Sequence, residues 1–351
     1  MRTDPRHASG RAQPARLIRW LGWCSLAGLL ATWFALDVLG DRVWWTVPLL
    51  FGPRWLLAAA WLGFVPWLVV DIHRAAAPAL LGLAIAALAI VGWHIPLRRA
   101  GAGTGIAFRV LELNAGGSGA PRTTGRILAE LAAQRPDLVV VAECGPALAQ
   151  ALGGIGGYHA RAGEDLCLLT RGDIVEWDPR DQMDAWRHRG SGAIIRAVIG
   201  TPAGLIRVGL VHLATPRNAL DTYFSASQLP SRGPETRANM AQRDDESRQA
   251  RAWILAGPMR PTLILGDFNL PAESAIYRRY WGSFRNAFGR AGWGTGYTKH
   301  TRFWGVRIDH VLATSDVGTR DSFIGHDVGS DHLPLIADLV LPAPRPLDPG
   351  R

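Results

Sequence analysis

PTLILGDFN (261–269) is the stretch from which the fold is read. Its apolar run, Leu263 to Leu265, ends on a glycine and then on Asp267 and Asn269. A short apolar run bounded by turn residues reads as a buried strand. Residues two apart in an extended segment face the same side, so Asp267 and Asn269 share a face. A buried strand that stops on a carboxylate presents it at the rim of its sheet, where function concentrates.

Working outward, the pattern recurs. FRVLELN (108–114), DLVVVAE (137–143), DLCLLT (165–170), AIIRAVI (193–199), LIRVGLVHL (205–213), RIDHVLAT (307–314) and LPLIADLVL (333–341) all read as strands. Two helices stand out: TTGRILAELAAQRP (123–136), ended by its proline, and the segment 243–257 that closes on ARAWILAG. Many strands with few helices predict two packed sheets with helices on the outer faces, a four-layered α/β sandwich over 106–341. Strands end on Asn114, on Glu143, on His212, on Asp267 with Asn269, and on Asp309 with His310, while Asp331 and His332 precede the last one. Six such places in one domain point to a shared rim. Each also has a plainer reading: a strand-end turn for Asn114, a rim salt bridge for Glu143, a satisfied core imidazole for His212, and an Asx turn for GDFN.

Taken together and in order, LELN (111–114), VAE (141–143), VHL (211–213), GDFN (266–269), RIDHV (307–311) and SDHLP (330–334) resemble the signature of the endonuclease/exonuclease/phosphatase family. The resemblance covers about 106–341. It implies Glu143 as the principal metal ligand, with Asn114 and Asp331 beside it. It implies Asp267 and Asn269 as the groups that activate water and contact phosphate, His332 with Asp309 as a pair against the scissile phosphate, and His212 as a further phosphate contact. The implied reaction is Mg²⁺-dependent (or Mn²⁺-dependent) hydrolysis of a phosphate ester or anhydride. A buried carboxylate needs a cation or a donor, and Mg²⁺ is held by one or two carboxylates plus waters, so Glu143 suits that role on chemical grounds too. Some nucleases of the family carry an acid two positions after the strand-end Asn; here it is Gly116. His310 should face away from Asp309 and reads as structural.

The first third of the chain is a different material. Residues 20–36 and 55–70 hold no charged residue, and 75–97 hold no acid, Lys or Arg. A bilayer core takes about 20 apolar residues per helix. Nine of the 15 tryptophans lie in residues 1–100, several at the ends of these runs, where amphipathic rings favour the interface. The expectation is a membrane anchor over 17–98 with three transmembrane helices, residues 41–54 being re-entrant or merged with the second. Residues 1–16 then form a cytoplasmic tail, 99–105 a linker and 342–351 a disordered tail. Five arginines between Arg2 and Arg19 place the N-terminus inside, and three crossings place the catalytic domain outside the cytoplasm. This architecture resembles the membrane-anchored bacterial branch of the family that includes the glycopeptide-resistance protein VanJ.

The net charge is +9, but residues 1–105 carry ten Arg and four Asp, leaving only +3 for the domain. That charge gives little support to a polyanionic partner. Trp186, Arg187, Arg189, Arg302 and Trp304 are the residues from which a nucleic-acid groove would be built. The favoured substrate is therefore a lipid-linked phosphate at the bilayer, with nucleic acid as the alternative and non-catalytic binding as the last. Residues 215–242 are the expected specificity loop. Three cysteines exclude a disulfide scaffold, and Cys144 and Cys167 read as buried thiols.

Overall fold

The computed structural model describes residues 6–96, 104–116, 121–180 and 192–343. Trp186, Arg187, Arg189, most of the linker and most of the C-terminal tail lie outside them. The chain divides into two compact units, Met1–Trp93 and His94–Arg351.

The first unit is helical. Two helices, Ala15–Arg42 and Ile72–Ile90, are long and apolar enough to cross a membrane. Between them Trp44–Phe51 and Arg54–Val70 meet at 99°, and this bent pair makes a third candidate if it counts as one span. Leu29, Leu36, Leu50, Phe64 and Ile90 are buried among the helices, while Trp20, Trp33, Val69 and Leu80 face outward. Helices that are apolar on both faces match a lipid surround better than water. At Gly63 an added Cβ would lie 1.9 Å from Ser25 Oγ, so the small residue sets the approach of two segments.

The second unit carries two six-stranded sheets. The first has the order β13-β14-β1-β2-β4-β3. Its strands are β1 (Gly105–Asn114), β2 (Leu138–Ala142), β3 (His159–Gly163), β4 (Leu166–Thr170), β13 (Gly318–Ile324) and β14 (Leu335–Pro342). The second has the order β5-β6-β7-β8-β12-β9. It comprises β5 (Ile174–Pro179), β6 (Ala193–Thr201), β7 (Gly204–His212), β8 (Thr262–Asp267), β9 (Arg285–Asn286) and β12 (Asp309–Ala313). The small pair β10 (Lys299–His300) and β11 (Gly305–Val306) stands apart. Each sheet is mixed, with one parallel pair at its centre, β1–β2 or β7–β8.

Alternation along the strands builds the layers. Phe108, Val110, Val140, Leu168, Val208, Leu210, Leu265 and Val311 meet between the sheets. Leu111, Leu113, Val139 and Val141 face outward onto α1 (Pro121–Gln134) and α2 (Pro146–Gly153) through Ile127, Leu131, Leu148 and Leu152. Ile194, Val211, Ile264 and Leu312 pack on α3 (Arg232–Leu255) and α4 (Ala275–Tyr280) through Ala250, Ile254, Ile276 and Tyr277. The order helices, sheet, sheet, helices follows from that period of two.

Two expectations need correction. Cys144 and Cys167 are not thiols but a disulfide, with Cα atoms 5.9 Å apart. Both point into the layer under α2, where a short apolar thiol would also have fitted. The second helix begins not at 243 but at Arg232, inside the stretch read as an irregular loop. Its buried positions Thr236, Arg243, Glu246, Ser247, Ala250 and Ile254 have helical spacing, but four of them are polar and give no hydrophobic period.

Candidate active site

The inner faces of both sheets run out of apolar residues at one end. On β1 the inward positions after Val110 are Glu112 and Asn114; on β7, His212 follows Leu210; on β8, Asp267 follows Leu265; on β12, Asp309 precedes Val311. The parity of the strands aims all five at the same end of the gap between sheets. His212 and Asp267 are register partners on β7 and β8, as are Asp309 and Asp267 on β12 and β8.

Asn114 ties the two sheets together. Its Nδ2 donates to Glu143 Oε1 at 3.1 Å and to Asp267 Oδ2 at 3.0 Å. Its Oδ1 accepts from Gly116 N at 2.9 Å, so the turn reading and the site reading both hold. Glu143 follows β2 with a φ of 51°. A non-glycine residue in the left-handed region is strained, and such strain collects at functional sites. Asn269 has a φ of 50°, and its backbone N–H donates to Asp267 Oδ1 at 2.7 Å, which makes GDFN an Asx turn as well. Asn269 Nδ2 donates to Leu213 O at 2.8 Å, so one of its amide hydrogens is spent on holding the turn. Gly266 is required there: its φ is 142°, and a Cβ would lie 1.8 Å from Val211 O.

Two histidine–carboxylate pairs flank this centre. His332 Nδ1 lies 2.8 Å from Asp309 Oδ2, both residues buried, and its Nε2 is 3.9 Å from Asp267 Oδ2. His212 Nδ1 lies 2.5 Å from Asp165 Oδ2, and its Nε2 is 3.8 Å from Glu143 Oε1. Burial pulls His212 down, but the Asp165 hydrogen bond and the charges of Asp267, Asp165 and Glu143 outweigh it and raise its pKa to about 9. His332 is likewise raised: burial opposes, and the charge and hydrogen bond of Asp309 prevail. Burial, with the charge of Asp309, pushes Asp267 up to about 6 against the pull of His332 and His212.

Asp331 stands to one side. It is ion-paired with Lys299, the only lysine of the chain, and its Oδ1 is 4.0 Å from His332 Nε2. The structure does not bring it to Asn114 or Glu143 in a direct contact. It does lie 3.5 Å from where a Cβ on Gly116 would sit, so an acid at 116 would face a like charge. His310 faces outward as expected, bonded to Leu270 O at 2.8 Å and packed edge-on to Phe268.

Four supporting residues were missed, two of them, Ser330 and Glu112, inside the motifs SDHLP and LELN. Asp165 stands just before β4 instead of ending a strand; because β4 runs antiparallel to β2, its start lies at the same rim as the end of β2. Ser330 Oγ donates to Asn114 O at 2.8 Å and accepts from His332 N at 3.1 Å, linking β1 to the His332 loop. Thr298 Oγ1 accepts from Asp309 N at 3.2 Å. Glu112 is fully buried and neither carboxylate oxygen has a hydrogen-bond partner. Burial and the charges of Asp309 and Asp267 raise its pKa well above the usual range. Its alternation with Asn114 in LELN was the available signal.

Asp267, Asp309 and His332 each offer a ligand atom, all within 4.8 Å of one another. Glu143 and Asp165 add carboxylates around them, beside the imidazole of His212 and the amide of Asn114. A surplus of oxygen donors converging on one rim, with Asp267 and Asp309 buried, fits a hard divalent cation.

Residues 100–332 match the family model described as the Endonuclease/Exonuclease/phosphatase family. The chain belongs to that family. It is thereby a phosphoester hydrolase, and a metal-dependent one. A humanised TDP2 from D. rerio is similar to this family member over 66% of this chain and 98% of its own, with 16% identity and a TM-score of 0.52. A family protein from Beutenbergia cavernae aligns over 67% of this chain and 72% of its own, at 18% identity and a TM-score of 0.46. The 3' phosphatase NExo from Neisseria, solved with a product DNA hairpin, aligns over 66% and 98%, at 18% identity and a TM-score of 0.47. Among curated proteins no sequence matches. At 16% identity the likeness to TDP2 carries the fold and not the substrate.

Proposed function

We propose that this family member is a membrane-anchored hydrolase of lipid-linked phosphate, working at the outer face of the bilayer through Mg²⁺. The observation that carries the chemistry is the bridging of Glu143 and Asp267 by one Asn114 amide, between two histidine–carboxylate pairs. The anchor is three spans within 17–98, the bent pair counting as one, joined by 99–105 to a catalytic domain over 106–341. The VanJ-like branch is the relative this architecture favours.

Glu143, with Asn114 beside it, would hold the metal, which would supply charge neutralisation at a phosphate oxygen, while Asp331 keeps its pair with Lys299. Asp267 accepts a proton from the attacking water; its raised pKa of about 6 brings it toward neutral pH, where a base works best. Asn269 fixes the turn that aims Asp267. His332, held in one tautomer by Asp309, donates from Nε2 to the phosphoryl group. His212 stays protonated and stabilises the charge that builds on the transferring phosphoryl.

The disulfide supports the extracytoplasmic side, since such bonds persist in oxidising compartments and are rare in the cytosol. In cells carrying Cys24→Ser and Ser227→Cys, a membrane-impermeant thiol reagent should label the exposed position 227 without lysis; labelling only after lysis inverts the topology.

The deciding experiment is a phosphate-release screen of the purified full-length protein. Polyprenyl diphosphate in liposomes should be the best substrate, ahead of phospholipids and soluble nucleotides, and EDTA should stop the reaction. Faster cleavage of DNA than of any lipid would make the protein a tethered nuclease.

A further inference from the structure

The disulfide sits where the mechanism has most to lose. Cys144 directly follows Glu143, and Cys167 lies two residues after Asp165. The ladder between β2 and β4 ends with Ala142 opposite Leu166, so Glu143 and Asp165 are the first residues beyond it on either strand. One backbone hydrogen bond continues across that end, from Cys144 N to Asp165 O at 2.8 Å. Glu143 itself is held in the left-handed region at a φ of 51°. A strained residue keeps its conformation only where its surroundings over-determine it. The Glu143 carboxylate accepts one side-chain hydrogen bond, from Asn114, and faces His212 Nε2 at 3.8 Å, a weak hold on such a residue.

We infer that Cys144–Cys167 is a positioning disulfide of the active site. The covalent link pins the residue after Glu143 to the strand that follows Asp165. It thereby sets two distances at once, Glu143 to Asn114, and Asp165 to His212. Neither sulfur touches substrate; the pair acts through the two acids. It is buried beneath α2, in the apolar layer with Leu148 and Leu152. A merely stabilising cross-link would serve equally well anywhere along β2 and β4. This one is placed at the end of the ladder that carries the functional groups.

The inference rests on Glu143 binding the metal, and the test separates the two. Binding of Mn²⁺ to the full-length protein is followed by the electron paramagnetic resonance of the free ion, with no substrate present. The protein is measured oxidised, then after reduction by a phosphine, which leaves both sulfurs in place and preserves packing. A Cys144→Ala/Cys167→Ala variant is measured in parallel. We expect affinity for Mn²⁺ to fall about 10- to 100-fold in both, the usual cost of losing a group that orients a ligand. The turnover number should fall more than KM rises, while far-UV circular dichroism stays unchanged. Unchanged Mn²⁺ affinity and turnover in a folded, reduced protein overturns the inference. General unfolding of both forms also overturns it, because the link would then be a staple for the whole sheet. If the oxidised protein binds no Mn²⁺, the metal reading itself fails.

Discussion

The two histidine–carboxylate pairs look alike and are built differently. His332 and Asp309 are buried, joined across one end of β12, and hydrogen-bonded at 2.8 Å. His212 and Asp165 come from different sheets, β7 and the start of β4, and both keep contact with solvent. The inner pair is a fixture whose loss leaves a charge without water. The outer pair is a bridge between sheets, screened by solvent and easier to re-form. The same side chains should therefore cost different amounts to remove.

The largest effects belong to the inner pair and the base it faces. Asp267→Asn and His332→Ala should each lower kcat about 10²–10⁴-fold with the fold intact, measured on the best substrate of the screen. Wild-type rates in either variant would end the mechanism. On the outer side, His212→Ala should cost about 10²–10³-fold, the price of one charged donor to a developing oxyanion. Asp165→Asn keeps the shape and loses the charge, and should cost about 10- to 100-fold, corresponding to about 1.5–3 kcal/mol for one charge-assisted hydrogen bond. An Asp165→Asn loss as large as that of Asp309→Asn would erase the contrast between the pairs.

Smaller effects appear in stability against pH. In the metal-free protein, His212 has a folded pKa of about 9, above its unfolded value of about 6.5. The stabilisation is full below about 6.5 and is lost as pH rises through about 9. Urea unfolding should show that decline, and His212→Gln should flatten it. Glu112 shifts stability in the same direction, through burial and like charge instead of a favourable partner. Its raised pKa means that the folded state keeps a proton which the unfolded chain releases above about 4.3, so stability falls as pH rises past that value. Glu112→Gln should be more stable than the natural protein at pH 7, with the gain shrinking toward pH 4. A variant less stable at pH 7 would mean that Glu112 is ionised and paired.

Much of this contrast was hidden in the sequence. The inner pair was legible because RIDHV and SDHLP put a chemical group next to an apolar run. The partner of His212 was not, because Asp165 precedes its strand and only the antiparallel pairing with β2 carries it to the rim. The strands were readable from their periods of two, and α1 from its apolar stripe and Pro136. Helix α3 was readable only from 243 onward, because its buried face is anchored by polar contacts, Glu246 accepting from Ala214 N at 2.8 Å and Arg243 donating to Asn269 O. The disulfide was illegible for a similar reason: nothing in two cysteines 23 residues apart states that their strands are neighbours.

The pairing of β1 with β14 has a consequence for biogenesis. Gly105 lies opposite Pro342, so the first strand of the domain waits for the last. Synthesis is vectorial, and long-range pairing is slow to close. The hairpin-scale neighbourhood of Cys144 and Cys167 is assembled early in the emerging chain, while His332 arrives near its end. A chain that ends before residue 332 therefore holds Glu143, Asp165, Asp267 and Asp309 without the histidine that pairs with Asp309. The site is complete only once nearly the whole domain has been made.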